Sequence, residues 1–179
     1  MLRTFKLTIA YDGTGYGGWQ IQPNKPTVQA LLENALARIA GKRVITHGSG
    51  RTDAVVHARG QIASCAFETR LSPTVLRLAL NANLPEDIRV LRVQEVDAKF
   101  HARISAKNKE YRYQIDAGQV ADPILRRYAW HRHWPLDLPA MRRAAKLMMG
   151  RQDFSALSAK SERKPVRTIK RLRFQSAAI

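Results

Sequence analysis

Large apolar side chains near the N-terminus change their spacing from that of a strand to that of a helix. From Phe5 to Tyr11 every second residue is large and apolar, as in a strand with one buried face. Over 28–39 the apolar residues recur at helical spacing instead, and Thr27 and Gly41 are suited to begin and end that helix. The pattern therefore predicts a strand followed by a helix.

The same patterns predict the remaining elements of the first hundred residues. A loop with four glycines at 12–26 separates the first strand from the first helix. Further strands are predicted at 43–48, 57–68 and 88–96, and a second helix at 72–81. This order is that of the ferredoxin-like βαββαβ arrangement, an α/β (α+β) fold with an antiparallel sheet and helices on one face. Because many unrelated functions use this fold, it indicates none of them by itself.

The second half of the chain carries fewer elements. Strands are predicted at 109–115, 128–134 and 166–175, and a helix capped by Asp137 at 138–149. We therefore expect an N-terminal unit at 1–104 and a second, incomplete α/β unit at 105–179 whose sheet continues the first.

The charge of the chain indicates a polyanionic partner. The sequence has 31 Lys and Arg against 14 Asp and Glu, a net charge of +17. Residues 1–100 carry 13 basic and 8 acidic side chains, whereas residues 101–179 carry 18 and 6. Nucleic acid is the first candidate ligand for such a protein, although a basic, well-solvated surface gives the same composition. The basic tract at 160–173 either contacts RNA phosphates or is the solvated face of a strand.

Other features of the sequence predict a cytoplasmic protein without a metal. No apolar run reaches the length of a membrane span, and the alternating N-terminus lacks the apolar segment of a signal peptide. Cys65 is the only cysteine, which excludes an intrachain disulfide and a multi-cysteine zinc site, and we expect it in the core. His131 and His133 have no nearby carboxylate or cysteine to complete a metal site, so we expect surface or interface histidines.

The candidate chemistry lies in the loop between the second and third predicted strands, within GSGRTDAVVHARGQ at 48–61. Arg51 and Asp53 stand two residues apart there and can form a charge-assisted pair that keeps the carboxylate ionised and oriented. Such a carboxylate is suited to nucleophilic attack or proton transfer on a flipped nucleobase. The alternative, and the commoner role of such a tripeptide, is an Asx-turn aspartate tied to a nearby arginine. His57 either lines the same pocket or is structural.

The surrounding residues favour the catalytic interpretation. GSGRTDAVVHA at 48–58 resembles the GAGRTDAGVHA segment of the tRNA pseudouridine synthase I family, also called the TruA family. Further segments match that family in the same order: YDGTGYGGWQIQ at 11–22, NANLPEDI at 81–88, FHAR at 100–103, KEYRY at 109–113 and DFSAL at 153–157. The resemblance covers nearly the whole chain.

This resemblance implies an enzyme that isomerises uridine to pseudouridine in the anticodon stem and loop of tRNA, with no cofactor and no metal. Asp53 would be the nucleophile or the proton-abstracting carboxylate. Arg51 would pair with Asp53 and help hold the place of the extruded nucleotide, and Tyr111 would pack on the target base. By spacing alone, Tyr113 would share a strand face with Tyr111, and either ring could instead be an ordinary core aromatic. Family members pair as homodimers that share one tRNA, so a homodimer is one assembly open to this chain.

Two departures from the family leave a second hypothesis open. Val55 replaces a glycine of the family segment; if this residue has positive φ, valine costs roughly 1–2 kcal/mol and can turn Asp53 away from the substrate. The sequence also lacks a FLYHMVR-like motif whose basic residue faces the catalytic aspartate in the family, which suggests a C-terminal truncation. The hypotheses are therefore an active tRNA-uridine isomerase and a truncated, catalytically inactive RNA-binding remnant.

Overall fold

A computed structural model describes residues 1–158 and 165–175, which belong to two compact units, Met1–Tyr111 and Arg112–Ile179. The boundary lies after Tyr111, whereas the sequence pattern put it after residue 104. The whole loop with Arg51 and Asp53 belongs to the first unit. No helix in the described part of the chain is both long enough and apolar enough to cross a membrane.

The first unit contains six regular elements in the predicted order. They are β1 (Leu2–Tyr11), α1 (Val28–Ala40), β2 (Thr46–Gly48), β3 (Ala58–Glu68), α2 (Pro73–Asn83) and β4 (Ile88–Val96). The strands form one antiparallel sheet in the order β2–β3–β1–β4, which confirms the ferredoxin-like prediction. Only the bounds differ, since β2 is shorter than the predicted 43–48 and α2 extends beyond residue 81.

Both helices of this unit begin at the predicted capping residues. Thr27 accepts a hydrogen bond from the Ala30 N–H (3.4 Å), and Ser72 accepts one from the Val75 N–H (3.3 Å). α1 ends at Gly41, whose φ of 68° is the left-handed conformation that glycine adopts at helix ends. These local signals fix the bounds of the helices that flank the loops.

One apolar core supports the sheet of the first unit. Phe5, Leu7 and Ile9 of β1 are fully buried in it. The helices contribute Leu32, Leu36, Leu76 and Leu80, all of them fully buried. Burying a side chain of this size stabilises the fold by about 1.5–3 kcal/mol. Cys65 lies in the same core, as predicted, and burial raises the pKa of its thiol to about 12.

The second unit has much shorter strands than the sequence pattern predicts. Its elements are β5 (Ile115–Asp116), β6 (Trp130–His131), α3 (Leu138–Met148), β7 (Gly150–Asp153), a short 3-10 helix (Ser155–Leu157) and β8 (Val166–Ile169). β5 pairs in parallel with β6, and β7 pairs antiparallel with β8.

Two predictions about this unit therefore need correction. The strands expected at 109–115, 128–134 and 166–175 are only two to four residues long. The described strands of the unit also form two small sheets of their own, and the four-stranded sheet contains strands of the first unit alone. The physical reason is burial, because Ala145 is the only buried hydrophobic residue among those described in this unit. Alternation stabilises a strand only where one face can be buried.

Candidate active site

The loop between β2 and β3 is anchored at Thr52. Its carbonyl accepts a hydrogen bond from the Trp19 N–H (3.1 Å), and its hydroxyl shares a hydrogen bond with the Tyr11 hydroxyl (2.8 Å). Gly18 has a φ of 99°, and a Cβ on this residue would overlap the Thr52 carbonyl oxygen. Only glycine permits this approach. The glycine-rich loop after β1 thereby fixes the residue next to Asp53.

A second set of contacts braces the start of the same loop. The Ser49 N–H donates to the Ile62 carbonyl (2.7 Å), and the Gln61 amide donates to the Gly50 carbonyl (2.5 Å). The Lys109 side chain packs against Gly50, because a Cβ there would lie 2.7 Å from Lys109 Nζ. The backbone leading to Arg51 and Asp53 is therefore supported on two sides.

Asp53 opens a tight turn that ends at Val56. The Val56 N–H donates to the Asp53 carbonyl (3.3 Å), and the third residue of the turn, Val55, has a φ of 65°. Positive φ at this position is the signature of a type II turn, which favours glycine. A β-branched residue is strained there, at a cost of about 1–2 kcal/mol. Val55 thus has the positive φ at which we expected valine to be strained.

Tyr16 holds this turn from the preceding loop. Its carbonyl accepts a hydrogen bond from the Val55 N–H (3.4 Å), and its hydroxyl donates to Asp87 Oδ1 (2.5 Å). Burial, followed by the bond to the Asp87 carboxylate, raises the pKa of the Tyr16 phenol well above its ordinary value. Burial also raises the pKa of Tyr11, against the smaller opposing effect of its bond to Thr52. Both phenols are thus neutral donors or acceptors around neutral pH.

His57 fixes the end of the loop. Its Nδ1 lies 3.0 Å from Asp12 Oδ1 and 3.1 Å from the Gly13 backbone nitrogen. A protonated Nδ1 donates to the Asp12 carboxylate, and an unprotonated Nδ1 accepts from the Gly13 N–H, so one of the two contacts forms in either tautomer. Of the two roles that the sequence left open for His57, these contacts support holding the loop over lining the pocket.

Asp53 and Arg51 line one open cleft of about 350 Å³. The other lining residues come from the two loops just described and are Gly17, Gln20, Gln22, Lys25, Thr52 and Ala54. Both Asp53 and Arg51 are exposed. The cleft therefore presents one carboxylate together with two cationic side chains, Arg51 and Lys25.

The structure brings Arg51 and Asp53 to the same cleft but does not join them. Among the described residues, no ion pair within 4.0 Å and no hydrogen bond links the two side chains. Backbone anchoring at Thr52 therefore positions the backbone next to Asp53, and the charge-assisted pair expected from the sequence is absent from the part of the chain that the structure describes. Both charges remain available to a ligand in the cleft.

Tyr111 lies at the end of the first unit with 73% of its surface exposed. It belongs to no strand, whereas the sequence pattern predicted one at 109–115. Lys109, two residues earlier, packs against Gly50, so this segment starts beside the loop that carries Asp53. Tyr113 is 90% exposed and belongs to the second unit. Neither tyrosine is a core aromatic.

His131 and His133 lie near each other in the second unit. The rings of His131 and His133 lie 6.5 Å apart, and His131 Nε2 is 2.9 Å from the Gly118 carbonyl oxygen. Within residues 1–158 and 165–175, no three His, Cys, Asp or Glu side chains are grouped so that they could hold a metal ion. The basic tract at 160–173 lies partly outside the described residues.

Comparison with known proteins decides the family of this chain. Residues 7–104, more than half of the chain, match the family model described as tRNA pseudouridine synthase. The tRNA pseudouridine synthase A 1 of Protochlamydia amoebophila is 42% identical over 177 residues, which cover 96% of this chain and 69% of that protein. The chain belongs to the tRNA pseudouridine synthase family. The TruA resemblance inferred from the motifs is confirmed.

Other members of the family match over a similar range. The tRNA pseudouridine synthase A of a Geobacillus species is 48% identical over 164 residues, covering 90% of this chain and 66% of that protein. The corresponding protein of Thermosipho africanus is 46% identical over 175 residues, covering 96% of this chain and 71% of that protein. The chain thus spans about two thirds of the length of these relatives.

The family motifs revealed the loop with Asp53, but not the residues that hold it. Gly18 acts through a close backbone approach to Thr52, and Gln61 acts through a side-chain bond to the Gly50 carbonyl. Residue spacing reports neither contact. The one available signal was the glycine cluster at 13–18, since four glycines in six residues indicate a close approach between backbones. Lys25 was also missed, because a lone lysine in a polar loop is indistinguishable from a solvated one.

Proposed function

We propose that this chain isomerises uridine to pseudouridine in the anticodon stem and loop of tRNA, with Asp53 as the catalytic carboxylate. The observation that carries the proposal is the presentation of Asp53. It is an exposed carboxylate on a turn that three backbone hydrogen bonds hold in place, and it lines a cleft with Arg51. Family membership supplies the reaction.

The reaction requires few groups from the protein. The bond between C1′ of the ribose and N1 of uracil breaks, the base rotates, and C1′ bonds to C5; the C5 hydrogen leaves as a proton, and N1 gains one. Asp53 acts either by attack as a nucleophile or by proton abstraction, and both roles need an ionised carboxylate. No metal or organic cofactor enters this scheme.

We assign substrate-binding roles to Arg51 and Tyr111. The target base must leave the stack, at a cost of a few kcal/mol. An arginine in the cleft is suited to hold the place of the extruded nucleotide, and an exposed tyrosine ring is suited to pack on the base. The net charge of +17 supports tRNA as the partner, because contacts with phosphates offset the unstacking cost.

Release of tritium from tRNA labelled at uridine C5 tests this proposal, since isomerisation frees that hydrogen. We expect release by the unmodified chain and none above background by Asp53→Asn, which keeps the shape of the side chain and removes its charge. Absence of release by a folded chain that binds tRNA would contradict the proposal.

One observation favours a second candidate, an RNA-binding protein without turnover. Val55 is strained at a φ of 65° in the turn that Asp53 opens. Relief of this strain by rotation of the turn would move the carboxylate, and RNA binding would persist. The variant Val55→Gly separates the candidates: if it gains tritium release that the unmodified chain lacks, valine is the cause of inactivity.

We also propose a cytoplasmic homodimer that binds tRNA. The homodimer follows from the family resemblance, and the cytoplasm is the compartment in which the proposed substrate is found. Sedimentation velocity over a range of protein concentrations, with and without tRNA, measures the assembly. A monomer at every concentration in both conditions would rule out the homodimer.

A further inference from the structure

Aromatic and cationic side chains alternate at 130–134, in the second unit. Trp130, Arg132 and Trp134 fall on one side of an extended segment, because successive residues there alternate sides. The central carbon of the Arg132 guanidinium lies 4.7 Å from the centroid of the Trp130 ring and 4.0 Å from that of the Trp134 ring. We call these three residues the Trp–Arg–Trp cluster.

Local contacts hold the cluster in this arrangement. The Trp130 N–H donates to the Gln114 carbonyl (2.8 Å), and the Arg132 N–H donates to the Asp116 carbonyl (2.8 Å). The His133 ring meets the Trp134 ring edge-on, with centroids 4.2 Å apart. Since backbone pairing and ring contacts fix the cluster in the protein alone, a ligand would meet a surface that is already ordered.

The cluster has unused binding capacity. Trp130 is 60% exposed and Trp134 is 47% exposed, although tryptophan usually buries most of its surface. Arg132 is partly exposed as a residue, whereas its Nε is buried without a hydrogen-bond partner among the described residues. A buried donor is normally paired, and the two rings beside this guanidinium offer only π faces. These features fit a ligand with flat aromatic groups and anionic oxygens.

We propose that the Trp–Arg–Trp cluster is a second RNA contact, on which unpaired bases stack while a phosphate or base acceptor bonds to Arg132. Stacking on exposed tryptophan tolerates any base, and the adjacent guanidinium adds attraction to the backbone. The inference rests on the proposed function in taking RNA as the ligand. RNA binding by the cluster needs no catalysis, so it can be tested separately from the role of Asp53.

Charge favours RNA over a protein at this surface. Residues 101–179 carry 18 basic and 6 acidic side chains, so a second copy of the chain would bring like charges together. A different protein partner would have to supply an acceptor for Arg132 within a dry aromatic contact. RNA supplies both the π faces and the negative charge.

Binding of a short oligoadenylate to the full chain tests the proposal. This probe contains no uridine and therefore cannot be isomerised. Fluorescence anisotropy of a labelled oligoadenylate gives the affinity at several salt concentrations, and an unlabelled one is used for tryptophan fluorescence. Trp19 is only 1% exposed, so quenching would come from Trp130 and Trp134. Tritium release is measured in parallel as an independent readout of the proposed function.

Three variants divide stacking from charge. We expect Trp134→Leu to weaken oligoadenylate binding between about 5-fold and 150-fold, with an unchanged salt dependence. Arg132→Gln is expected to lose affinity and to reduce the salt slope by about one. Arg142→Gln is the matched control, because it removes the same charge from an exposed position on α3 where no aromatic ring of the described residues lies over the guanidinium. Tryptophan quenching by the oligoadenylate should persist in this variant. Circular dichroism confirms that each variant is folded.

Three results would overturn the proposal. The first is oligoadenylate binding by the unmodified chain without tryptophan quenching. The second is equal affinity of Trp134→Leu and the unmodified chain for the oligoadenylate. The third is loss of self-association in Trp134→Leu with RNA affinity retained, which would identify a contact between protein copies. Failure of tritium release alone, with quenching and the variant effects intact, supports the cluster and counts only against the catalytic proposal.

Discussion

The two units of this chain carry similar alternating patterns and fold to very different extents. In Met1–Tyr111 three of the four strands have nine to eleven residues, and they surround a core in which Phe5 and Leu80 are fully buried. In Arg112–Ile179 the described strands have two to four residues, and Leu147 is 79% exposed. The difference shows that alternation predicts a long strand only where a core can receive its apolar face.

Matched core and surface substitutions should give the largest contrast between the units. Leu80 and Leu147 both lie in helices, but Leu80 is fully buried and Leu147 is mostly exposed. We expect Leu80→Ala to lower the free energy of unfolding by about 2–5 kcal/mol, because it leaves a cavity. Leu147→Ala should change it by less than about 0.5 kcal/mol. Urea unfolding followed by circular dichroism measures both, and equal losses would contradict the contrast.

The anchor of the Asp53 loop should be the next most sensitive point. Gly18 has a positive φ, and Gly18→Ala would place a Cβ against the Thr52 carbonyl. We therefore expect this variant to lower the free energy of unfolding by about 2 kcal/mol or more. Tritium release should fall with it, because Thr52 adjoins Asp53. Gly15→Ala is the control, since nothing lies within 4 Å of a Cβ there. If both variants behaved alike in unfolding and in release, the close approach would not be what holds the loop.

The sequence predicted most of the first unit and little of the second, for one physical reason. The elements of the first unit were predicted from local signals, which are the spacing of apolar residues and the helix caps Thr27, Ser72 and Gly41. The helices and strands predicted from these signals were confirmed where a core buries their apolar faces. The site divides in the same way. The family motif located Asp53, whereas Gly18 acts by a distant backbone approach that spacing does not encode. The lack of an ion pair between Arg51 and Asp53, among the residues the structure describes, was equally hidden, because it depends on loop geometry.

A substitution in the turn after Asp53 tests whether this site stores strain. Val55 and Val56 are adjacent and exposed, but only Val55 has positive φ. We expect Val55→Gly to raise the free energy of unfolding by about 1 kcal/mol, the relief of strain exceeding the extra entropy of the unfolded chain. Val56→Gly should lower it by about 0.4–1 kcal/mol, because it adds that entropy without relieving strain. A loss of stability in both variants would refute strain at Val55.

The smallest effect is expected in the second unit, from the pH dependence of a loop held by Asp116. Its carboxylate accepts hydrogen bonds from the Gly118 N–H (3.0 Å) and the Asp122 N–H (3.1 Å), which lower its pKa below the ordinary 3.8. Because the pKa of Asp116 is lower in the folded protein than in the unfolded chain, its carboxylate contributes its full stabilisation above the unfolded pKa. That stabilisation is lost as the pH falls through the folded pKa. We therefore expect amide hydrogen exchange at Gly118 and Asp122, corrected for its intrinsic pH dependence, to lose protection only below about pH 4. Asp116→Asn should show weaker protection at pH 7 and no further loss in acid; an identical profile in both proteins would show that the carboxylate charge does not hold this loop.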